Sequence, residues 1–141
     1  MKILILNGPN LNLLGKRDPA KYSSMNLEQI KDLIENEFND ISFTFFQSNI
    51  EGELVTQIQD ASGKYDGLII NPGGYSHTSV AIADALEICD IPKIEVHLSH
   101  LVKREEFRQT LITARNTNGY ISGFKENSYL AAVYLLKKLI K

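Results

Sequence analysis

The chain has 141 residues, 43% of them hydrophobic and 23% charged, which is typical of one soluble domain with a sizeable core spanning residues 1–141. Its formal net charge of −2 excludes the strong positive field that attracts nucleic acid. The single cysteine, Cys89, excludes an internal disulfide and fits a reducing, cytoplasmic location. No apolar stretch approaches the roughly 20 residues that cross a bilayer, so we expect no membrane association.

Short apolar runs alternate with segments of helical periodicity along the chain. The runs bounded by turn-forming residues predict strands at 3–6, 41–46, 68–70, 93–96 and 120–124. Apolar residues at helical spacing, or polar segments between strands, predict helices at 27–38, 51–61, 80–86, 104–114 and from 127 onward. Side-chain caps are expected from Asn26 with Gln29, from Thr78 or Ser79, and from Asn127 or Ser128.

This alternation predicts an α/β fold with a five-stranded parallel sheet and helices on both faces. The alternation alone leaves the strand order open. A flavodoxin-like order, 2-1-3-4-5, would place the third strand at the centre of the sheet.

A long polar segment separates the first strand from the first helix and extends to about Met25. It contains Lys16, Arg17, Lys21 and Tyr22. Connections between a strand and a helix are usually short, and long ordered loops in compact domains often act as lids over a binding site. We therefore expect this segment to cover a site.

The first four predicted strands all end in polar turns. These turns are Asn7-Gly8-Pro9-Asn10, Gln47-Ser48-Asn49, Asn71-Pro72-Gly73-Gly74 and Glu95-Val96-His97. In a parallel sheet they lie along one edge, which indicates a crevice for a polyhydroxylated or carboxylated small molecule. Each turn taken alone contains ordinary turn-forming residues, so only their convergence favours a site.

Several common site motifs are missing from the sequence. It has no Gly-x-Gly-x-x-Gly, no P-loop and no Gly-x-Ser-x-Gly. His97 and His100 lack the additional Cys or acidic ligands of a metal site, so we expect no metal. The residues by themselves indicate either a cofactor-free α/β enzyme or a small-molecule binder.

Five blocks of sequence resemble those of type II 3-dehydroquinate dehydratases, in the order and spacing of that family. They cover residues 5–17, 46–52, 71–79, 95–99 and 104–108. The resemblance implies a flavodoxin-like fold, no cofactor, and trimers that assemble into a homododecamer. It also implies a hydro-lyase that converts 3-dehydroquinate to 3-dehydroshikimate by trans elimination through an enolate, the third step of aromatic amino-acid biosynthesis.

The resemblance implies roles for five catalytic residues. Tyr22 matches the base, as tyrosinate, and Arg17 the group that stabilises the transition state. Since a free tyrosine has a pKa of about 10, such a base needs cations close by. His97 matches the acid that protonates the leaving C1 hydroxyl, and Glu95, two residues earlier on the same side of the strand, would orient it. Asn10, next to Pro9, matches a pocket that holds water at the enolate.

The resemblance also implies a substrate-binding set. Asn71 and the backbone N–H groups of Leu98 and Ser99 match the carboxylate pocket. His77 and Arg108 match the groups that bind the ring hydroxyls. Asp84 matches a residue that reaches the site of a neighbouring subunit.

Three positions depart from the family pattern. Ser23 stands where the family commonly has Gly, which bears on how the lid hinges. Gln109 stands where it usually has His, which bears on how Arg108 is held. Residues 123–129 replace a glycine-rich stretch ahead of the last helix.

Rival interpretations remain at this point. A flavin binder would carry a phosphate-binding loop after its first strand, and a receiver domain would carry an Asp at the position of Asn71. A degenerate family member that only binds its ligand is a further alternative. The same reaction also occurs in quinate breakdown, so the sequence leaves a catabolic role open.

Overall fold

A computed structural model of the chain describes residues 1–140, which form one twisted parallel sheet flanked by helices. The strands are β1 Lys2–Asn7, β2 Ser42–Gln47, β3 Gly67–Asn71, β4 Lys93–His97 and β5 Gly119–Ser122. Their order is β2-β1-β3-β4-β5, and every neighbouring pair is parallel. The flavodoxin-like order is therefore confirmed, with β3 at the centre.

Four α-helices cover the sheet: α1 Leu27–Glu37, α2 Glu51–Gln59, α3 Val80–Ile88 and α4 Asn127–Leu139. Alternate side chains of β1 pack on opposite faces, as Ile3 and Ile5 join a core with α1 and α4. Leu4 and Leu6 join a second core with α2 and α3. Both faces of the sheet are thus buried, as predicted from the unbroken apolar strands. Within residues 1–140, every helix is too short or too polar to span a bilayer.

The helix caps follow the sequence in two of three cases. Asn26 and Gln29 form a reciprocal capping box, and the Ser79 hydroxyl accepts a hydrogen bond from the N–H of Ile82 at 3.0 Å. The expected cap of α4 by Asn127 or Ser128 is wrong, because α4 begins at Asn127 without a side-chain cap. The Ser128 hydroxyl lies inside the helix and contacts the preceding turn instead.

The helix predicted over 104–114 is also wrong. This part of the chain forms only short 3-10 turns, at Leu101–Lys103, Glu106–Arg108 and Ala114–Asn116. Its aromatic side chain, Phe107, is exposed and does not pack against the sheet. Its backbone instead forms a hydrogen bond to the turn that follows β3, in which the N–H of Ile112 donates to the carbonyl oxygen of Ser76 at 2.9 Å. The fifth strand ends at Ser122, earlier than predicted, because Gly123 turns with a φ of +102°.

The carboxyl ends of β1 and β3 meet closely at the edge of the sheet. Asn7 and Asn71 lie opposite one another in the parallel register. A Cβ at Gly8 would lie 2.5 Å from the carbonyl oxygen of Pro72, so only glycine fits there. Gly73 turns with a φ of +60°, a conformation that favours glycine. This packing places the polar turns of the two strands side by side.

Candidate active site

A cavity of about 40 Å³ lies at the carboxyl edge of the sheet beneath the lid, which we define as residues 11–25. Its walls come from the lid, the turn after β3, the end of β4 and the turns that follow β4. The lining includes Leu11, Arg17, Tyr22, Asn71, Gly73, Gly74, His77, His97, Leu98, Ser99, Leu101, Arg104 and Arg108. A larger cavity of about 160 Å³ under α1 contains one cation, Lys31, and no histidine.

Tyr22 and Arg17 form a close pair within the lid. Arg17 Nη2 donates a hydrogen bond to the Tyr22 phenol oxygen at 2.5 Å, and its guanidinium carbon lies 3.7 Å from the ring centroid. Burial lowers the pKa of the Arg17 guanidinium, and the positive charges of Arg104 and Arg108 act in the same direction. Arg17, Arg104 and Arg108 therefore bring three positive charges to the cavity that the Tyr22 phenol lines.

Arg104 is a site residue that the sequence analysis missed. Its guanidinium carbon lies 5.1 Å from the Tyr22 ring centroid, and Nη1 donates to the Ser99 hydroxyl at 3.1 Å. Its side chain is 9% exposed, and the buried Nε has no hydrogen-bond partner among residues 1–140. Arg104 lies in the same family-like block, 104–108, as Arg108, and this position could have marked it as a site residue. The helix predicted for this segment gave no reason for Arg104 to face the site.

His97 and Glu95 form a buried pair on β4, as the alternation of the strand predicted. The Nε2 of His97 lies 2.7 Å from Glu95 Oε2, and the Glu95 side chain is fully buried. The Ser76 hydroxyl donates to Glu95 Oε2 at 3.2 Å, and the Thr113 hydroxyl donates to Oε1. These donors hold the carboxylate in place beside the imidazole.

Ser76 and Thr113 were not predicted as site residues. Ser76 belongs to the resembling block at 71–79, so its position was a usable signal. Thr113 lies 18 residues from Glu95 in a segment predicted to be helical, and no local pattern connects the two. Only the fold brings this hydroxyl to the carboxylate.

The Asn71 side chain is fixed by hydrogen bonds at both ends of its amide. Its Oδ1 accepts from the N–H of Gly73 at 3.1 Å, and its Nδ2 donates to the Tyr129 hydroxyl at 3.3 Å. Tyr129 in turn donates to Asn7 Oδ1. Burial raises the pKa of Tyr129 above its usual range, so the phenol stays neutral. Tyr129 was also missed, because its hydroxyl comes from a helix far along the chain.

His77 faces the same cavity with one ring nitrogen already engaged. Its Nδ1 lies 2.8 Å from the carbonyl oxygen of Thr110, which requires this nitrogen to be the donor. Burial lowers the pKa of His77, and the charges of His97 and Arg108 add to the effect. A neutral His77 leaves Nε2 as a hydrogen-bond acceptor. Its ring stacks with that of His97 at a centroid separation of 6.2 Å.

Arg108 is held at the edge of the cavity by its own turn. Its Nε donates to Glu105 Oε2 at 2.7 Å, and this bond lowers the pKa of the Glu105 carboxyl. Gln109, the departure next to it, donates through Nε2 to the carbonyl oxygen of Leu101 at 2.7 Å. The amide of Gln109 therefore ties the 3-10 turn that precedes Arg104 to the one that ends at Arg108.

Three predicted site residues do not line this cavity: Glu95, which is buried and reaches it only through His97, and Asn10 and Asp84. Asn10 is exposed, adopts a left-handed φ of 68°, and donates from its backbone N–H to Asn49 Oδ1 at 3.0 Å. Asp84 lies exposed on α3, away from the cavity lining. Across residues 1–140, no three His, Cys, Asp or Glu side chains are grouped to hold a metal ion.

Comparisons with known sequences agree with the resemblance. The sequence profile of the family described as "Dehydroquinase class II" matches residues 1–137. A 3-dehydroquinate dehydratase of Clostridium perfringens (strain SM101 / Type A) is 51% identical over 144 residues, covering 100% of this chain and 99% of the relative. Another, from Aliarcobacter butzleri (strain RM4018), is 48% identical and covers 99% of this chain and 87% of the relative.

Solved structures give the same result. The crystal structure of type II dehydroquinase from Butyrivibrio crossotus DSM 2876 has a TM-score of 0.93 at 42% identity, covering 97% of each chain. That of the type II dehydroquinase from Propionibacterium acnes has a TM-score of 0.90 at 33% identity, covering 96% of each chain. Profile, relatives and solved structures agree over nearly the whole length, and the chain therefore belongs to the class II dehydroquinase family.

Proposed function

We propose that this chain dehydrates 3-dehydroquinate to 3-dehydroshikimate with Tyr22 as the base and His97 as the acid. Membership of the class II dehydroquinase family implies this reaction. The observation that carries the residue roles is the pairing on two sides of one cavity, with Arg17–Tyr22 in the lid and Glu95–His97 on β4. The reaction requires such a base and acid, because a proton leaves carbon and a hydroxyl leaves as water.

The base step uses the cations around the lid tyrosine. The Tyr22 phenoxide removes a proton from the carbon next to the substrate ketone, and the electron pair moves onto the ketone oxygen as an enolate. Arg17 then stabilises the negative charge, since its guanidinium already contacts the phenol oxygen. We propose that the Pro9–Asn10 turn holds the water at the enolate, as Pro9 packs beside Gly73 in the cavity wall.

The acid step uses the imidazolium of His97. The enolate collapses, the carbon–oxygen bond at C1 breaks, and His97 gives its proton to the departing hydroxyl to form water. Since Nε2 is bound to Glu95, Nδ1 is the nitrogen that delivers this proton. Glu95 balances the charge of the ring before the transfer. The proton that Tyr22 gained and the proton that His97 lost are then exchanged with solvent.

The remaining lining residues suit a polyhydroxylated carboxylate. We propose that the free hydrogen of Asn71 Nδ2 and the N–H groups of Leu98 and Ser99 bind the carboxylate. His77 accepts a hydrogen bond from one ring hydroxyl through Nε2, and Arg108 donates to another. The fixed amide of Asn71 supports this assignment, because its hydrogen-bond partners leave a donor for the ligand.

The cavity is small compared with its proposed ligand. Its volume is about 40 Å³, whereas pockets for small ligands are typically about 300–1,000 Å³. The lid contributes Arg17 and Tyr22 to its walls, so outward movement of the lid enlarges it directly. We therefore propose that the substrate enters when the lid opens and that closure brings the base to the substrate.

We propose that the protein assembles into a trimer-based oligomer and works in the cytoplasm. A trimer-based oligomer, up to a homododecamer, gives Asp84 a role, because its exposed position on α3 leaves it available to a neighbouring subunit. A cytoplasmic location suits an enzyme of the shikimate pathway. The same reaction in quinate breakdown is the alternative role, and the site itself would be the same in both.

The direct test is to add 3-dehydroquinate to protein treated with a chelator and then with borohydride. Ultraviolet absorbance of the conjugated enone product should rise at the rate of untreated protein, since no residue here forms a Schiff base in the proposed mechanism. Folded, oligomeric protein that binds 3-dehydroquinate without any rise would overturn the proposal and favour the binding-only alternative.

A further inference from the structure

We propose that Ser23 and Glu126 position the base by fastening the lid to the turn that follows β5. We refer to this Ser23–Glu126 hydrogen bond as the latch. The inference rests on the proposed function of Tyr22, which directly precedes Ser23 in the chain. It concerns how the lid is held in place, and none of the catalytic roles proposed above gives a residue this task.

The latch is a partly buried contact between segments far apart in sequence. The Ser23 hydroxyl donates to Glu126 Oε2 at 2.7 Å and accepts from the N–H of Met25 at 3.0 Å. Ser23 is fully buried, whereas Tyr22 is partly exposed and Ser24 is exposed. Both hydrogen-bonding functions of the Ser23 hydroxyl are thus used at a position shielded from water.

Among residues 1–140, the latch is the only hydrogen bond that joins the lid to a segment distant in sequence. Within this part of the chain, the only other hydrogen bond from the lid to a residue outside it is donated by the N–H of Leu13 to the carbonyl oxygen of neighbouring Asn10 at 3.0 Å. The Arg17–Tyr22 bond and the turn around Asp18 are internal to the lid. The part of the lid beyond Leu14, which is itself packed in the core, can therefore open when the latch breaks, with few other polar contacts to lose.

The other end of the latch is attached to the strand that carries the acid. Gly123 donates from its N–H to the carbonyl oxygen of His97 at 3.2 Å, and Lys125 donates to that of Leu98 at 3.0 Å. Glu126 follows directly. The latch therefore connects Ser23, which follows the proposed base, to the backbone of the proposed acid His97 through a short series of hydrogen bonds. Its geometric effect is to set the position of Tyr22 relative to His97.

The latch joins two positions at which this chain departs from the family pattern. Ser23 replaces a residue that is commonly glycine in the family, and Glu126 lies in the stretch that replaces a glycine-rich segment. A glycine at position 23 has no hydroxyl to donate. In the structure the two departures meet in one contact, so we interpret them as a single feature of this chain.

Loss of the latch should shift the lid toward its open state. Hydrogen bonds to charged groups are among the stronger ones in proteins, and we expect the ratio of open to closed lid to rise about tenfold. Substrate binding depends on the fraction of closed lid, which falls less steeply than the fraction of open lid rises, so KM should rise by less than tenfold. The kcat should fall less than about twofold, because the bound substrate itself contacts Arg17 and Tyr22.

The experiment compares Ser23→Ala, Glu126→Ala and the double variant, with Ser24→Ala as the matched control. Trypsin is added under native conditions, because the lid carries Lys16, Arg17 and Lys21, and the initial rate of lid cleavage is measured. Each single variant should raise this rate severalfold and KM by a smaller factor, up to about tenfold for the two factors multiplied together. The double variant should do no more than Ser23→Ala, since both single changes remove the latch and Ser23→Ala also removes the acceptor of the Met25 N–H. Ser24→Ala should match the unmodified protein.

A conservative variant separates positioning from general destabilisation. Glu126→Gln keeps an oxygen that can accept the Ser23 hydroxyl, so its cleavage rate and KM should lie between those of the unmodified protein and Glu126→Ala. Latch variants that are cleaved no faster than Ser24→Ala would overturn the proposal. So would a double variant whose effect equals the product of the single effects.

The cleavage assay distinguishes failure of the latch from failure of the proposed function, because it needs no turnover. Faster cleavage in both latch variants of a protein that does not dehydrate 3-dehydroquinate would keep the latch and remove the enzyme assignment. Normal turnover with unchanged cleavage and KM in the latch variants would keep the enzyme assignment and remove the latch.

Discussion

The hydrogen-bonded group formed by Tyr129, Asn7 and Asn71 gives a quantitative test of the site's framework. Replacing Tyr129 with Phe removes one hydroxyl and keeps the ring, so the core packing is preserved. The phenol is fully buried, and Asn7 and Asn71 are 4% and 3% exposed. The change leaves Asn7 Oδ1 without its donor and Asn71 Nδ2 without its acceptor.

Each buried polar group left unpaired costs about 1–3 kcal/mol. Two such groups, with some relaxation of their side chains, should lower the free energy of unfolding by roughly 2–4 kcal/mol. Asn71 should also lose its fixed orientation toward the substrate. We therefore expect KM to rise by about tenfold, while kcat changes less.

The assay is urea denaturation at one fixed protein concentration, together with steady-state kinetics. Tyr134→Phe is the matched control, because Tyr134 lies on the same helix and is 56% exposed. The control should change the free energy of unfolding by less than about 0.5 kcal/mol. Equal stability of Tyr129→Phe and Tyr134→Phe would refute the reasoning, since the buried hydroxyl would then contribute nothing.

Three further predictions concern single side chains of the site. Burial lowers the pKa of His77 in the folded protein, so as the pH falls the unfolded chain takes up a proton at His77 before the folded protein does. The contribution of His77 should therefore lower the free energy of unfolding below about pH 6.5 and leave it unchanged above that pH. In urea denaturation across this pH range, the free energy of unfolding should fall less steeply for His77→Gln than for the unmodified protein. An equally steep fall in both would contradict this prediction. Glu95→Gln removes the negative charge 2.7 Å from His97 Nε2 and should lower kcat roughly 10–100-fold with little change in KM; steady-state kinetics with unchanged kcat would exclude this role. If Asp84 completes a neighbour's site, mixed oligomers of inactive Asp84→Ala and inactive Tyr22→Phe subunits should regain activity at roughly a quarter of sites. Mixing without any recovery would place Asp84 outside the site.

The fold was predictable from the sequence because its strands carry their own signals. Ile3 to Leu6 and Leu68 to Ile70 are unbroken apolar runs that end in polar turns, which is typical of strands buried on both faces. The paired positions of Glu95 and His97 also followed from the strand, since alternate residues share one side. These features depend on local sequence alone.

The turns after β4 were not predictable in the same way. Gln109 binds the carbonyl oxygen of Leu101, and Thr113 binds Glu95 across the edge of the sheet. These contacts set the backbone of the segment, whereas its polar composition had suggested an exposed helix. Arg104 was missed for this reason, because its approach to the Tyr22 ring depends on how the turns fold.

The contact between Ser23 and Glu126 shows the same limitation at longer range. The two residues are 103 positions apart, and each was noticed only as a separate departure from a family pattern. No periodicity or spacing connects the lid with the turn before α4. Their meeting required the three-dimensional arrangement of β1, β4 and β5.

The most direct test of the account is to measure both turnover and substrate binding in Tyr22→Phe. This variant keeps the ring beneath Arg17 and removes only the oxygen proposed to accept the proton. We predict that kcat falls by about 10²–10⁴-fold, the range expected for loss of a general base, while Kd for 3-dehydroquinate changes less than about threefold. Turnover close to that of the unmodified protein would contradict the assignment of Tyr22 as the base.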